Sequence, residues 1–263
     1  MDKIIQLYVW LFARKRFARF NQFLFRLALG GLGVLNYRSS ASSGELSFLK
    51  RYLPSKSGAV IDVGANIGGY SKEVHRINDA LSVYAFEPHP KTFMELQKHF
   101  NGVNGITIFN QGLSSAKGTL KLYDYPSNDG SQHASLFEEV ITDIHGSGSV
   151  VSHEVDLITL DDFVAANAIS EISLLKVDTE GNELEVLKGA RDTLERGIIK
   201  AVHFEFNEMN VISRTYFRDF EKTLTGFRLY RLLPNEMLEI QKYNPLYCEL
   251  FAFQNIVAIL EEK

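Results

Sequence analysis

Residues 59–70 read Ala-Val-Ile-Asp-Val-Gly-Ala-Asn-Ile-Gly-Gly-Tyr. A short apolar run ends near Asp62, Gly64 and Gly68 bracket a tight turn, and an amphipathic stretch follows, which is the pattern of a strand entering a helix. Glycine lets a backbone approach a ligand closely, and a helix start offers unpaired N–H groups. The next apolar run, Leu81–Phe86, ends at Glu87, twenty-five residues after Asp62. An acid in that position is where doubly wound folds hold the ribose hydroxyls of a nucleotide. The turn also discriminates between nucleotides. It lacks the G-x-G-x-x-G pattern of dinucleotide folds, with Asn66 standing where a middle glycine would be. Asp62 would repel a pyrophosphate but tolerate an ammonium or a sulfonium. S-adenosylmethionine carries both cations and is the expected ligand, with NAD as the alternative. Asp62, Gly64, Asn66, Gly68 and Glu87 are the residues expected to hold it.

Outward from this turn the chain alternates short β-rich runs with helical patterns, the mark of βαβ units around a mostly parallel sheet. Strands are expected at Ala59–Val63, Leu81–Phe86, Ile106–Asn110, Ile172–Val177 and Ile199–Phe206, and further ones at Phe227–Leu233 and Phe251–Leu260. Helices are expected at Gly68–Ile77, Lys91–Phe100, Leu160–Ala168, Glu183–Arg196 and Tyr216–Leu224. Strands at Gly118–Tyr125 and Ser152–Leu157 enclose a polar Gly/Ser-rich stretch, Pro126–Ser149, that is long for a plain connection and reads as a functional loop or lid. The division expected is an N-terminal helical extension over residues 1–45 and one α/β domain over 46–263.

Composition limits the partners. The chain has 263 residues with a net charge of −4, which gives no electrostatic drive toward nucleic acid. A single cysteine, Cys248, excludes an internal disulfide and fits a reducing, cytoplasmic compartment. The apolar run Ile4–Ala13 falls short of the roughly 20 residues a membrane span needs, and Arg14, Lys15 and Arg16 follow it rather than precede it, against a secretory signal. Leu7, Leu11, Phe12, Phe20, Phe23, Leu24 and Leu27 share a broad helical face, with Arg14, Lys15, Arg19 and Arg26 largely elsewhere. Such a helix either packs on its own domain or lies on the inner membrane surface as a peripheral anchor, bringing the protein to a lipid-linked substrate.

A second acidic cluster, Lys176-Val-Asp-Thr-Glu-Gly-Asn-Glu183, closes the expected strand Ile172–Val177. A lysine in an apolar strand needs a carboxylate partner, and Asp178, Glu180 or Glu205 can supply one. Asp178 stands at the carboxyl end of its strand, the edge where open α/β sheets bind ligands.

These stretches resemble the FkbM-type family of S-adenosylmethionine-dependent methyltransferases. The resemblance is carried by Gly31–Tyr37 with Ser43-Gly-Glu45; by Ile61–Tyr70 with Phe86-Glu-Pro88; by Ala134-Ser-Leu136 with Thr159-Leu-Asp-Asp162; and by Lys176–Glu183 with Leu187-Lys-Gly-Ala190. It implies a class I methyltransferase (Rossmann-like) fold, a seven-stranded sheet with an antiparallel last strand, and methyl transfer to a hydroxyl of a sugar, glycan, glycolipid or natural product. It adds Tyr70, Pro88 and Asp178 to the cofactor residues.

An alcohol is a poor nucleophile, so a positioned base is expected. Asp178, Glu180 and Glu205 are candidates, with His133 in the presumed lid; the other histidines carry no functional signal. Asp178, Glu205 and Asn207 are hard oxygen ligands that suit a divalent metal, which is not favoured. Besides the methyltransferase, an NAD-dependent oxidoreductase and a non-catalytic Rossmann-like scaffold remain. Calorimetry with each cofactor separates the three.

Overall fold

The structure is a computed structural model that describes residues 2–37, 39–131 and 133–261. Gln132 of the expected lid, and Met1, Arg38, Glu262 and Lys263 of the expected domains, lie outside the described residues. Eleven strands are formed: β1 Ala59–Val63, β2 Ser82–Phe86, β3 Ile106–Phe109, β4 Gly112–Leu113, β5 Gly118–Asp124, β6 Val151–Ile158, β7 Ile172–Val177, β8 Ala201–Phe206, β9 Phe227–Leu232, β10 Met237–Glu239 and β11 Gln254–Leu260. The main sheet runs β10-β9-β11-β8-β7-β1-β2-β3. Strands β3, β2, β1, β7 and β8 are mutually parallel, while β11 is antiparallel to both β8 and β9.

Seven of these strands form the expected sheet with its antiparallel last strand. The eighth, β10, adds an edge that nothing in Met237-Leu-Glu239 announces. It is three exposed residues held by pairing to β9 alone. Every residue of β1 and β7 is buried, because helices cover both faces of the parallel half and each side chain points into one of two cores. Ala59, Ile61 and Val63 join Leu175, Val177 and the Phe86–Phe163–Phe204 side, whereas Val60, Val83 and Leu174 pack with Phe48, Leu49 and Leu53 on the other.

One expectation needs correction. The helix read over Glu183–Arg196 is two helices, Glu183–Lys188 and Arg191–Glu195. Gly189 passes so close to the Ser114 backbone that a Cβ would stand 2.0 Å from its carbonyl oxygen, and Gly189 O accepts from Asp161 N instead of continuing the helix. The stretch Pro126–Ser149, expected as a functional loop or lid, is a flap with folded structure of its own. Ser135 bridges Tyr123, Val140–Ile144 forms a helical turn, and Val140 and Ile141 are buried. The short strand β4 and the helix Glu45–Tyr52 carry no periodic signal long enough to be read.

Candidate functional site

Because β1, β2, β7 and β8 are parallel, their carboxyl ends bring Gly64, Glu87, Asp178 and Asn207 to one edge of the sheet. Gly64 has φ +81°, and a Cβ there would lie 1.8 Å from the Asp178 carbonyl oxygen. Only glycine lets these two strand ends close up. The Asp178 N–H donates to Val63 O at 3.0 Å and so ties the two motifs together. Asn66, at φ +51°, occupies the left-handed region that asparagine tolerates better than most residues.

Glu87 is buried, and its two oxygens accept the Asn66 N–H at 2.9 Å and the His89 N–H at 2.8 Å. Burial pushes its pKa up to about 7 against those donors. Each oxygen keeps a lone pair for a further hydroxyl. Beneath it a cleft is lined by Pro88, Leu113, Leu136, Ser131, Asn182 and the Gly64–Asn66 turn. That mixture of apolar walls with a carboxylate, Glu87, at one end suits an adenosyl group.

An adjoining pocket carries charge. Asp62, buried, accepts from Ser71 Oγ at 2.6 Å, and burial raises its pKa to about 6 despite that bond. Lys176 lies opposite it in the β1–β7 register with Asp178 Oδ2 at 3.3 Å. Burial by itself would lower the pKa of the Lys176 ammonium, but Asp178, Glu205, Glu45 and Asp62 outweigh it and hold the group charged. Tyr70 lines this pocket, with its hydroxyl 3.1 Å from His203 Nδ1.

A third cavity, of about 470 Å³, opens on the other side of the same edge, lined by Tyr37, Ser40, Glu45, His133, His145, Glu180, Glu205, Asn207, Glu208 and Asn255. Glu180 has φ +53°, a conformation that costs of order 1 kcal/mol for a non-glycine residue. The turn holds it there. Glu183, buried, accepts from Thr179 N at 2.8 Å, Thr179 Oγ1 at 3.0 Å and Gly181 N at 3.1 Å, and Ser135 Oγ donates to Glu180 O at 2.7 Å. The Glu180 side chain thereby meets His133 Nδ1 at 3.3 Å. Burial, with Asp178 beside it, pushes Glu180 up to about 7, while the carboxylate in turn raises His133. Glu205 is driven well above the ordinary carboxylate range by burial and by Asp178.

The structure therefore brings Gly64, Asn66, Glu87, Pro88 and Asp178 together in one cleft, sets Asp62 and Tyr70 in the pocket beside it, and gathers Glu180, Glu205 and His133 around the acidic cavity. Gly68 is different. A Cβ there would stand 2.2 Å from the Phe100 ring, at φ +86°, so its glycine serves helix packing. Gly68→Ala is expected to cost about 2–4 kcal/mol of stability, read as a lower denaturant midpoint, with ligand affinity of the folded fraction retained.

Sequence reasoning gave no site role to Glu45 and Asn182, although both stand in stretches quoted above, or to His145, which carries no pattern of its own. It also missed a cluster behind the cleft, where His89 Nε2 and His153 Nε2 both meet Asp129 Oδ1, at 3.0 and 2.8 Å. Lys91 Nζ sits 2.5 Å from the other Asp129 oxygen, and His89 Nδ1 accepts from Lys91 N. That places the His89 proton on Nε2, which donates it to Asp129 Oδ1, and Lys91 supplies the cation, so the cluster clamps the flap to the helix Pro90–Phe100.

The sheet order, the glycine turn and the acid at the end of β2 define a protein of the class I methyltransferase fold. Residues 62–243 match the model of the methyltransferase FkbM domain, and the chain belongs to that family. Methyltransferase sdnD of Sordaria araneosa is 33% identical over 153 residues, covering 49% of this chain and 59% of that protein. Hexuronic acid methyltransferase AglP of Haloferax volcanii is 31% identical over 135 residues, 51% of this chain and 50% of that protein. The 31-O-demethyl-FK506 methyltransferase FkbM of Streptomyces tacrolimicus is 28% identical over 155 residues, 51% and 59%. The chain thus spans about half to three-fifths of the length of these relatives.

Proposed function

We propose that the protein transfers a methyl group from S-adenosylmethionine to a hydroxyl of a sugar, glycan, glycolipid or polyhydroxylated natural product. One observation carries this reading: the three cavities share Gly64, Asn66 and Asp178, so an adenosyl site, a zwitterion site and an acceptor site meet at one point.

Glu87 would accept the ribose hydroxyls. Asp62 and Glu45 would face the ammonium of the amino-acid end and Lys176 its carboxylate. When bound, the cofactor supplies an electrophilic methyl carbon on a sulfonium. The chain's own residues then have two tasks. One is alignment, in which walls fixed by the strand ends hold the acceptor oxygen against the shared point, an effect worth several kcal/mol. The other is proton removal.

Five carboxylates line the acidic cavity, and the surroundings of Asp178, Glu205 and Glu180 divide the work. Asp178 is paired with Lys176. Glu205 faces Lys176 and accepts from Asn207 Nδ2, so it is engaged on the wall of the cavity. Glu180, with His133 against it, titrates near neutrality and is the base. The cavity lies within the ordinary range of small-molecule sites, about 300–1,000 Å³, and no lysine or arginine is among its described lining residues. That suits a neutral polyol better than a phosphate. Hydroxyl acceptors are also in keeping with relatives named for a hexuronic acid and for 31-O-demethyl-FK506.

Glu87→Ala removes a charged acceptor and frees two buried N–H groups, so cofactor affinity is expected to fall about 10- to 100-fold, measured by calorimetry. A methyl-transfer screen over sugars, glycolipids and polyols with labelled cofactor tests the function. Label appearing on a hydroxyl oxygen supports it, and label confined to nitrogen or carbon acceptors overturns it.

A further inference from the structure

Residues 2–31 stand almost wholly outside the core. Helix Asp2–Phe12 buries no residue, and helix Ala18–Gly31 buries only Leu29. Ile4, Ile5, Leu7, Val9, Trp10, Phe23, Phe25 and Leu27 are each more than half exposed. Phe20, Phe23 and Leu27 fall at i, i+3 and i+7 and form one apolar stripe, flanked by Arg19 and Arg26. The two helices are joined through a turn, Lys15–Phe17, in which the Phe12 ring meets those of Phe17 and Phe20, and Tyr8 Oη donates to Asn21 Oδ1. The pair is thus ordered by its own contacts and leaves its apolar surface uncovered.

Charge identifies what covers it. Residues 2–31 carry Lys3, Arg14, Lys15, Arg16, Arg19 and Arg26 against Asp2 alone, a net +5, which leaves −9 on the rest of a chain whose total is −4. A basic apolar surface is attracted to an anionic bilayer by two forces, burial and surface potential, while the acidic remainder of the chain favours this face over any other as the one turned to the lipid. No helix is long and apolar enough to cross a membrane among the described residues.

We infer that these two helices are a docking surface for an anionic lipid bilayer, lying in its interface. The chain that leaves them fixes the orientation. Leu35 N donates to Phe253 O, Val34 is buried, and Tyr37, Ser39 and Ser40 then line the acidic cavity. Docking therefore holds the mouth of that cavity beside the headgroups. Resting on the function proposed above, the acceptor hydroxyl is one presented at a lipid surface.

Trp10 is the only tryptophan in the chain and is 67% exposed, so the full-length protein carries its own probe. With vesicles of phosphatidylcholine mixed with phosphatidylglycerol, Trp10 emission is expected to move to shorter wavelength, iodide quenching to fall several-fold, and the protein to sediment with lipid. Pure phosphatidylcholine vesicles should bind far less. The triple variant R14Q/K15Q/R16Q should lose about a hundredfold in partitioning, roughly fivefold per cation removed, and Phe23→Asp should lose sedimentation without altering S-adenosylmethionine binding. Trp10 emission unchanged by anionic vesicles overturns the inference. So does equal binding of the triple variant, or a lipid-free dimer in which Trp10 is already shielded. Cofactor binding measured without lipid tests the chemistry separately, so failure of one reading leaves the other visible.

Discussion

Asp178→Asn is expected to abolish methyl transfer while the fold survives. Asparagine keeps the shape of the side chain, and the backbone bond from residue 178 to Val63 O is unaffected. Lys176 retains Glu205, Glu45 and Asp62 as counter-charges, so the strand remains neutralised. What disappears is the one negative charge at the point common to all three cavities, facing both Lys176 and the place of the sulfonium. Losing a preorganised electrostatic group at a reacting centre costs about 10²–10³ in rate, and kcat is expected to fall by at least that much with an unchanged thermal melt. Wild-type turnover in this variant would remove Asp178 from the mechanism.

Glu180→Gln is expected to lower kcat by about 10²–10⁴, the usual contribution of a positioned base, and to change the shape of the pH profile. The sign follows from the direction of the shift. Burial raises the Glu180 carboxyl to about 7, so below that pH the pair with His133 retains its proton and has none to gain. In the native protein kcat/KM should climb up to tenfold per unit toward pH 7 and flatten above it; in the glutamine variant the climb should vanish. The same shift acts on stability. A carboxyl raised in the folded state favours folding most below its unfolded pKa and loses that contribution as pH rises through about 7. His133→Ala should cost less than Glu180→Gln, because the histidine acts through the carboxylate it touches. A glutamine variant with an intact pH profile would assign the base elsewhere.

The parallel half of the sheet was legible because each of its strands is a largely apolar run ended by glycine, an acid or asparagine, and the turn and the strand end at Asp178 reveal themselves by chemistry alone. Gly64 and Asp178 are 114 residues apart, yet a missing Cβ and a strand-end acid suffice to place both at the same edge once the sheet is parallel. The acceptor side was less legible. Glu45, His145 and Asn255 reach the cavity from three separate segments, and no periodicity links them. Gly68 has a packing reason that its spacing does not show. It has the spacing of a ligand glycine, but the Phe100 ring across the helix is what demands it. The internal anchoring of the flap was not legible for a similar reason. Its Gly/Ser content suggests looseness, whereas Asp124 anchors it by accepting from Gly130 N, Ser131 N and Ser131 Oγ, contacts that composition does not show.

Titration of the full chain with S-adenosylmethionine by calorimetry, beside Gly64→Ala and with NAD in parallel, tests the account at its centre. The Cβ of Gly64→Ala would collide with Asp178 O at 1.8 Å, closing the junction of the three cavities. The expected result is one S-adenosylmethionine site in the native chain, lost in the variant, and no NAD binding. Binding of NAD in its place, or of neither nucleotide, would contradict the account.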